Sequence, residues 1–159
     1  MQNVTLICVG KLKERFYADA CAEYQKRLSR FCKLTVVELA EERLGDKPSQ
    51  AQIEAALAKE ADAVRAHLPQ GACLAALCVE GKECSSEDFS GMLEQWGCAG
   101  KHPVFLIGSS CGLHSSLKAA AHARISMSAM TFPHHLARVM LLEQIYRAYQ
   151  IQAGTKYNK

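Results

Sequence analysis

Two stretches hold the residues with the clearest chemical potential. Gly108-Ser-Ser-Cys-Gly112 is a loop of small residues directly after the apolar run Val104-Phe-Leu-Ile107. With no bulky side chains in the way, its main-chain N–H and C=O groups can approach a polar ligand closely. Met127-Ser-Ala-Met-Thr-Phe132 carries no charge and alternates apolar with small polar residues. That composition suits an adenine and a thioether better than a phosphate, although a buried strand leading into a helix has the same pattern. Both are strand-to-loop-to-helix junctions, and ligands in open α/β sheets sit at the carboxyl ends of strands.

Other chemistries are excluded or weaker. There is no G-x-x-x-x-G-K-[ST] phosphate loop, no G-x-G-x-x-G after the first strand and no G-x-S-x-G elbow. The eight cysteines include no C-x-x-C pair, so they read as free thiols packed as small hydrophobes, and no metal site is expected. His134 and His135 are adjacent, so on a helix they point about 100° apart and cannot chelate as an i, i+4 pair does. His134 follows Pro133 at a helix start and reads equally as a site residue or as a capping and packing residue. Glu143 sits in an otherwise apolar helix, four residues before Arg147, the favourable order for an ion pair. Such a pair more readily fixes helix docking than performs catalysis.

The elements that must position these residues follow from periodicity. Strands are expected at 4–9, 34–39, 72–79, 103–107 and 125–127. Between them lie helical patterns at 14–30, 48–67, 85–96 and 115–122, and a last helix spans 133–153. The first helix carries Phe16, Ala20, Tyr24 and Leu28 at four-residue intervals. Ser85 is placed to cap the third helix, with acids in its first turn. Strict alternation of strand and helix predicts an α/β fold, a mostly parallel sheet with helices on both faces. The 159 residues, 49% hydrophobic, fit one domain, residues 1–159, with a proper core. No apolar run is long enough to cross a bilayer, so no membrane partner is expected. Met1 to Gly10 reads as a first strand rather than a targeting signal, which points to the cytoplasm.

The last helix is apolar nearly all round, with Val139-Met-Leu-Leu142 covering every direction. One sheet face covers one side, so a second subunit in a two-fold homodimer is the expected second wall. Charge is unevenly spread. Residues 1–33 hold seven Lys and Arg against three acids, residues 34–117 six against twelve, and residues 118–159 six against one. If the ends meet, they form a basic face fit for a phosphate backbone, with Arg27, Arg30 and Lys33 among its candidates.

The chain resembles the ribosomal large-subunit methyltransferase H family of the SPOUT superfamily. The likeness runs over the whole chain, from Val9-Gly-Lys-Leu-Lys13 through Phe105-Leu-Ile-Gly108 with Gly112-Leu-His114. It is most specific in Ser126-x-Ser-x-Met-Thr-Phe-Pro-His134, followed by Arg138-Val139 and Glu143-Gln-x-Tyr-Arg-Ala148. The resemblance implies a C-terminal trefoil knot and an S-adenosylmethionine site at Leu77, Gly108, Met127, Ser128, Ala129, Met130, Thr131 and Phe132. It implies a homodimer that methylates N3 of a pseudouridine in large-subunit rRNA, within the ribosome. Tyr157, Asn158 and Arg138 are the catalytic candidates. Arg138, Arg147, Lys156 and Lys159 are candidates for phosphate or anion contacts. Three positions depart from the family pattern: Ser109 for glycine, Cys78 for an acid and Asn158 for histidine. Ser109 and Asn158 keep a second reading open, a non-catalytic homodimer that binds RNA or S-adenosylmethionine.

Overall fold

The computed structural model describes every residue from Met1 to Lys159. Strands and helices alternate as β1 (Gln2–Val9), α1 (Arg15–Leu28), β2 (Cys32–Leu39), α2 (Gln50–Ala66) and β3 (Ala72–Lys82). They continue as α3 (Ser86–Cys98), β4 (His102–Ile107), α4 (Ser115–Ala120), β5 (Ala123–Ile125) and α5 (His134–Gln152). The five strands form one sheet in the order β2-β1-β4-β3-β5, and every neighbouring pair is parallel.

The strands are apolar on both faces because both are covered. Val4, Leu6, Cys8, Phe105 and Ile107 pack on one side with α1, α3 and α5. Ile7, Val9, Leu74, Val104 and Leu106 pack on the other with α2 and α4. Ser49 and Ser85 each close a capping box at the start of α2 and α3, satisfying helix N–H groups that have no internal partner. All eight cysteines are unpaired, and burial pushes the Cys8 thiol up to about 12, the behaviour of a core hydrophobe.

Four sequence expectations change. Phe16 is 66% exposed, and the buried side of α1 is formed by Cys21 and Leu28. The four-residue interval extends one turn further back than the packed part of the helix. β3 continues to Lys82 because a register shift after Leu77 lets Lys82 pair again with Ile125. β5 ends at Ile125, which frees Met127 to build a cavity wall. α5 also finds a second wall inside the chain, since it packs against both α1 and α3. Leu141, Leu142 and Ile145 are fully buried within one protomer. Its all-round apolarity is therefore partly answered without a second subunit.

Candidate functional site

A cavity of about 670 Å³ opens at the carboxyl ends of β3, β4 and β5. That size falls within the range of small-molecule sites, roughly 300–1,000 Å³. Three separated segments build it: the end of β3, the 107–113 turn and the 125–134 stretch. Leu77, Gly108, Met127, Ser128, Met130, Thr131 and Phe132 line it, and Ala129 does not. The walls mix apolar side chains with small polar residues, the chemistry that an adenosine joined to a thioether requires.

Local hydrogen bonds shape each wall. Ser126 Oγ donates to the Ser128 carbonyl at 2.9 Å, and the Met130 N–H donates to Ser128 Oγ at 3.0 Å. This tight turn leaves Met130 73% exposed. In the 108–112 loop the Gly112 N–H donates to the Ser109 carbonyl at 2.8 Å, and the Ser110 N–H to Glu41 Oε1 at 3.2 Å. The sequence expectation of free loop N–H groups is thus corrected: these two are already used. Gly108 is required by close approach. A Cβ there would stand 2.3 Å from the Gly112 carbonyl oxygen, so it would strike the loop itself rather than fill ligand space.

Sequence reasoning missed several lining residues. Cys78, Val79 and Glu80 follow Leu77 along β3, and Lys118 of α4 forms an ion pair with Glu80. The signal was present in the strand end Glu80-Gly-Lys82, but not the length of the strand. His134 also faces the cavity. Burial and then the His135 charge hold its pKa below the ordinary value, so it favours the neutral imidazole.

The catalytic candidates lie elsewhere in the single protomer. Arg138 is 3% exposed and donates to Glu38 Oε2 at 2.8 Å and to the Gly10 carbonyl at 3.1 Å. Those bonds occupy two of its three nitrogens in tying α5 to β1 and β2, and Arg138 does not line the cavity. Burial pushes the Glu38 carboxyl up, but the Arg138 hydrogen bond, the Leu12 N–H and nearby cations outweigh it, so its pKa is lowered. Tyr157 donates to Glu143 at 2.9 Å, and Asn158 donates to Glu87 at 2.8 Å. Neither reaches the cavity in this arrangement. The Glu143–Arg147 ion pair forms as the spacing predicts, at 2.7 Å. No group of three His, Cys, Asp or Glu is arranged to hold a metal ion, and no helix is long and apolar enough to cross a membrane.

Comparison with known proteins gives this geometry its context. A family model described as a predicted SPOUT methyltransferase matches residues 2–158. The chain belongs to the SPOUT methyltransferase family. Its relatives include a ribosomal RNA large subunit methyltransferase H from Streptococcus equi subsp. zooepidemicus, 46% identical over 158 residues, covering 99% of each chain. A protein of the same name from Bifidobacterium animalis subsp. lactis is 44% identical over 158 residues, again covering 99% of each. Among solved structures, a probable methyltransferase from Bordetella pertussis Tohama I aligns with a TM-score of 0.57 at 16% identity. That alignment covers 93% of this chain and 95% of the other, and it supports the fold alone. SPOUT methyltransferases use S-adenosylmethionine as methyl donor. The cavity of this SPOUT methyltransferase fits that donor in volume and lining. It offers Leu77, Met127 and Phe132 as apolar walls, and the cation in its lining, Lys118, is paired with Glu80.

Proposed function

We propose that this chain methylates N3 of a pseudouridine in large-subunit ribosomal RNA, as a single-domain homodimer acting on the ribosome in the cytoplasm. The observation that carries the reading is the cavity in which seven of the eight expected donor residues meet. The names of the full-length relatives support the RNA target.

Leu77, Gly108 and the 127–132 stretch would hold the donor. When bound, it supplies a sulfonium-activated methyl group for direct transfer. The contribution of the chain is placement, since aligning two reactants can supply much of a rate enhancement. The pseudouridine N3–H must be lost, and Asn158 cannot accept a proton near neutral pH. Electrostatic support of the resulting anion then falls to a cation beside the tail. Arg147 occupies that place, 4.6 Å from the Tyr157 ring and bonded to Asn158 Oδ1 at 3.2 Å. Burial and the bond to Glu143 hold the Tyr157 hydroxyl above its ordinary pKa, so it acts as a hydrogen-bond donor.

A C-terminal trefoil knot is part of the proposal. Its support is membership of the SPOUT family; at Gly81 β3 runs so close beside β5 that a Cβ would lie 2.8 Å from the backbone of Arg124 and Ile125. The decisive experiment is tritium transfer from labelled S-adenosylmethionine to ribosomes lacking the modification. Incorporation at a pseudouridine supports the assignment. Donor binding without transfer would replace it with the non-catalytic reading.

A further inference from the structure

The 108–112 loop is held from behind by two carboxylates that take no part in lining the cavity. Glu60 projects from α2 and is 6% exposed, as is Ser109. Glu60 Oε1 accepts from Ser109 Oγ at 2.8 Å, and its Oε2 accepts from the Glu42 N–H at 2.9 Å. One residue further along the loop, Glu41 Oε1 accepts from both the N–H and the hydroxyl of Ser110. Glu60 has no basic partner within ion-pair distance, and its acidic neighbours are Glu41 and Glu42. Burying a carboxylate this way is costly unless its hydrogen bonds are made, and these two bonds make them. Both run to segments that end at the cavity or stand behind it. Ser109 is also the hinge of the turn, because its carbonyl receives the Gly112 N–H.

We infer that Glu60 is a positioning residue for the donor site: through Ser109 it fixes the 109–112 wall in the shape that receives S-adenosylmethionine. The inference deepens the proposed function and rests on its assignment of this cavity to the donor. It also gives Ser109 a role, for a glycine there would leave the carboxylate short of one of its two donors.

The test uses the full chain with Ser109→Ala, Glu60→Ala and the double variant. Ser109→Ala removes only a hydroxyl and keeps the fold testable should Glu60→Ala unfold. Calorimetry should show donor Kd rising about tenfold in Ser109→Ala, the scale of one lost hydrogen bond to a charged group. The double variant should bind no more weakly than the weaker single, because both changes remove one connection. In Glu60→Ala the donor KM should rise with little change in kcat. Hydrogen exchange of the donor-free protein is the independent readout. The 110–112 amides should exchange faster in both single variants while β1 amides keep their protection. Unchanged loop exchange and unchanged Kd, with the wild type binding normally, would overturn the inference alone. Additive losses in the double variant would also overturn it, since Ser109 would then act by touching the donor. A wild-type protein that does not bind S-adenosylmethionine would overturn the donor-site reading and this inference with it.

Discussion

Tyr157 and Glu143 meet across fourteen residues of chain, the phenol donating to Oε2 at 2.9 Å. Arg147 takes the other carboxylate oxygen, Oε1, at 2.7 Å. Glu143 therefore organises both the tail and the cation beside it. Thr155 adds a third tie by donating to Gln150 Oε1 at 2.7 Å. The last residues are docked on α5 and α3, away from the cavity of their own protomer. In the proposed homodimer the tail, docked in this way, would be presented to the partner copy's bound donor.

Arg138 should prove a stability residue. Arg138→Ala leaves the Gly10 carbonyl without its guanidinium donor and Glu38 without its cation. The expected loss is about 3 kcal/mol, at the low end for a broken buried pair because the Glu38 side chain is 37% exposed. Glu38 has a lowered folded pKa, so its contribution is present above its unfolded pKa and fades as pH falls through the folded one. Urea midpoints of the wild type and Glu38→Gln should converge on acidification. A constant gap would show that the pair is not the source.

Gly108→Val should lose donor affinity together with stability. Its Cβ would meet the Gly112 carbonyl, and the 108–112 backbone must shift to admit it. Overpacking of this kind costs about 1–3 kcal/mol. Calorimetry and thermal unfolding should therefore move together. Lost affinity at an unchanged Tm would mean that the side chain displaces ligand instead.

The elements were legible because each strand is an apolar run with a clear stop, as in Val4 to Val9 before Gly10. Most of the cavity lining was legible: seven of the eight expected residues line it, named from the resemblance and, for 127–132, also from the charge-free mix of apolar and small polar residues there. Ala129 was carried along by position, but it sits inside a turn made by Ser126 and Ser128. Phe16 fitted the helical interval, yet nothing in a single helix reveals where its packing surface ends. Glu60 was invisible. One of three acids in an Ala-rich helix looks solvated, and its partner Ser109 is forty-nine residues away. Contacts of that kind are made by topology, not by local pattern.

Glu60→Gln should be relatively more stable as pH rises. Burial holds the Glu60 pKa above its ordinary value, against the lowering effect of the Glu42 N–H and Ser109 bonds. A raised carboxyl pKa favours the folded state below the unfolded pKa, and that advantage is lost as pH rises through the folded one. The amide has no charge to bury, so the stability of Glu60→Gln minus that of the wild type should increase from acid to neutral pH. Denaturation curves of both proteins across pH decide it, and a flat difference would contradict the sign.

The homodimer should form through the outward side of α5. Leu142 is fully buried in one protomer, so Leu142→Asp should unfold the chain rather than only separate subunits. Met140 is half-buried and lines a second, smaller cavity beside Glu143 and Gln144, which makes it the sharper probe. Sedimentation at micromolar concentration should show a dimer for the wild type and a folded monomer for Met140→Asp. A wild-type monomer near 17.5 kDa would end the proposal.

The tail gives the closest view of the chemistry. Asn158 can hold a base by hydrogen bonds but cannot take its proton. If the tail reaches the partner's site, the N3–H must be lost to solvent, and single-turnover methylation should speed up with pH toward the pKa of that proton. Asn158→His introduces a group that titrates near neutral pH. It should raise the rate there by about tenfold or more, given the 10²–10⁴ range of general-base catalysis, and leave donor affinity unchanged. The pH profile should flatten above the histidine pKa, because a positioned base replaces hydroxide. No gain at any pH would mean that residue 158 is not a proton acceptor. The tail would then serve through Tyr157 and the Arg147 cation alone, and the asparagine would be a neutral replacement.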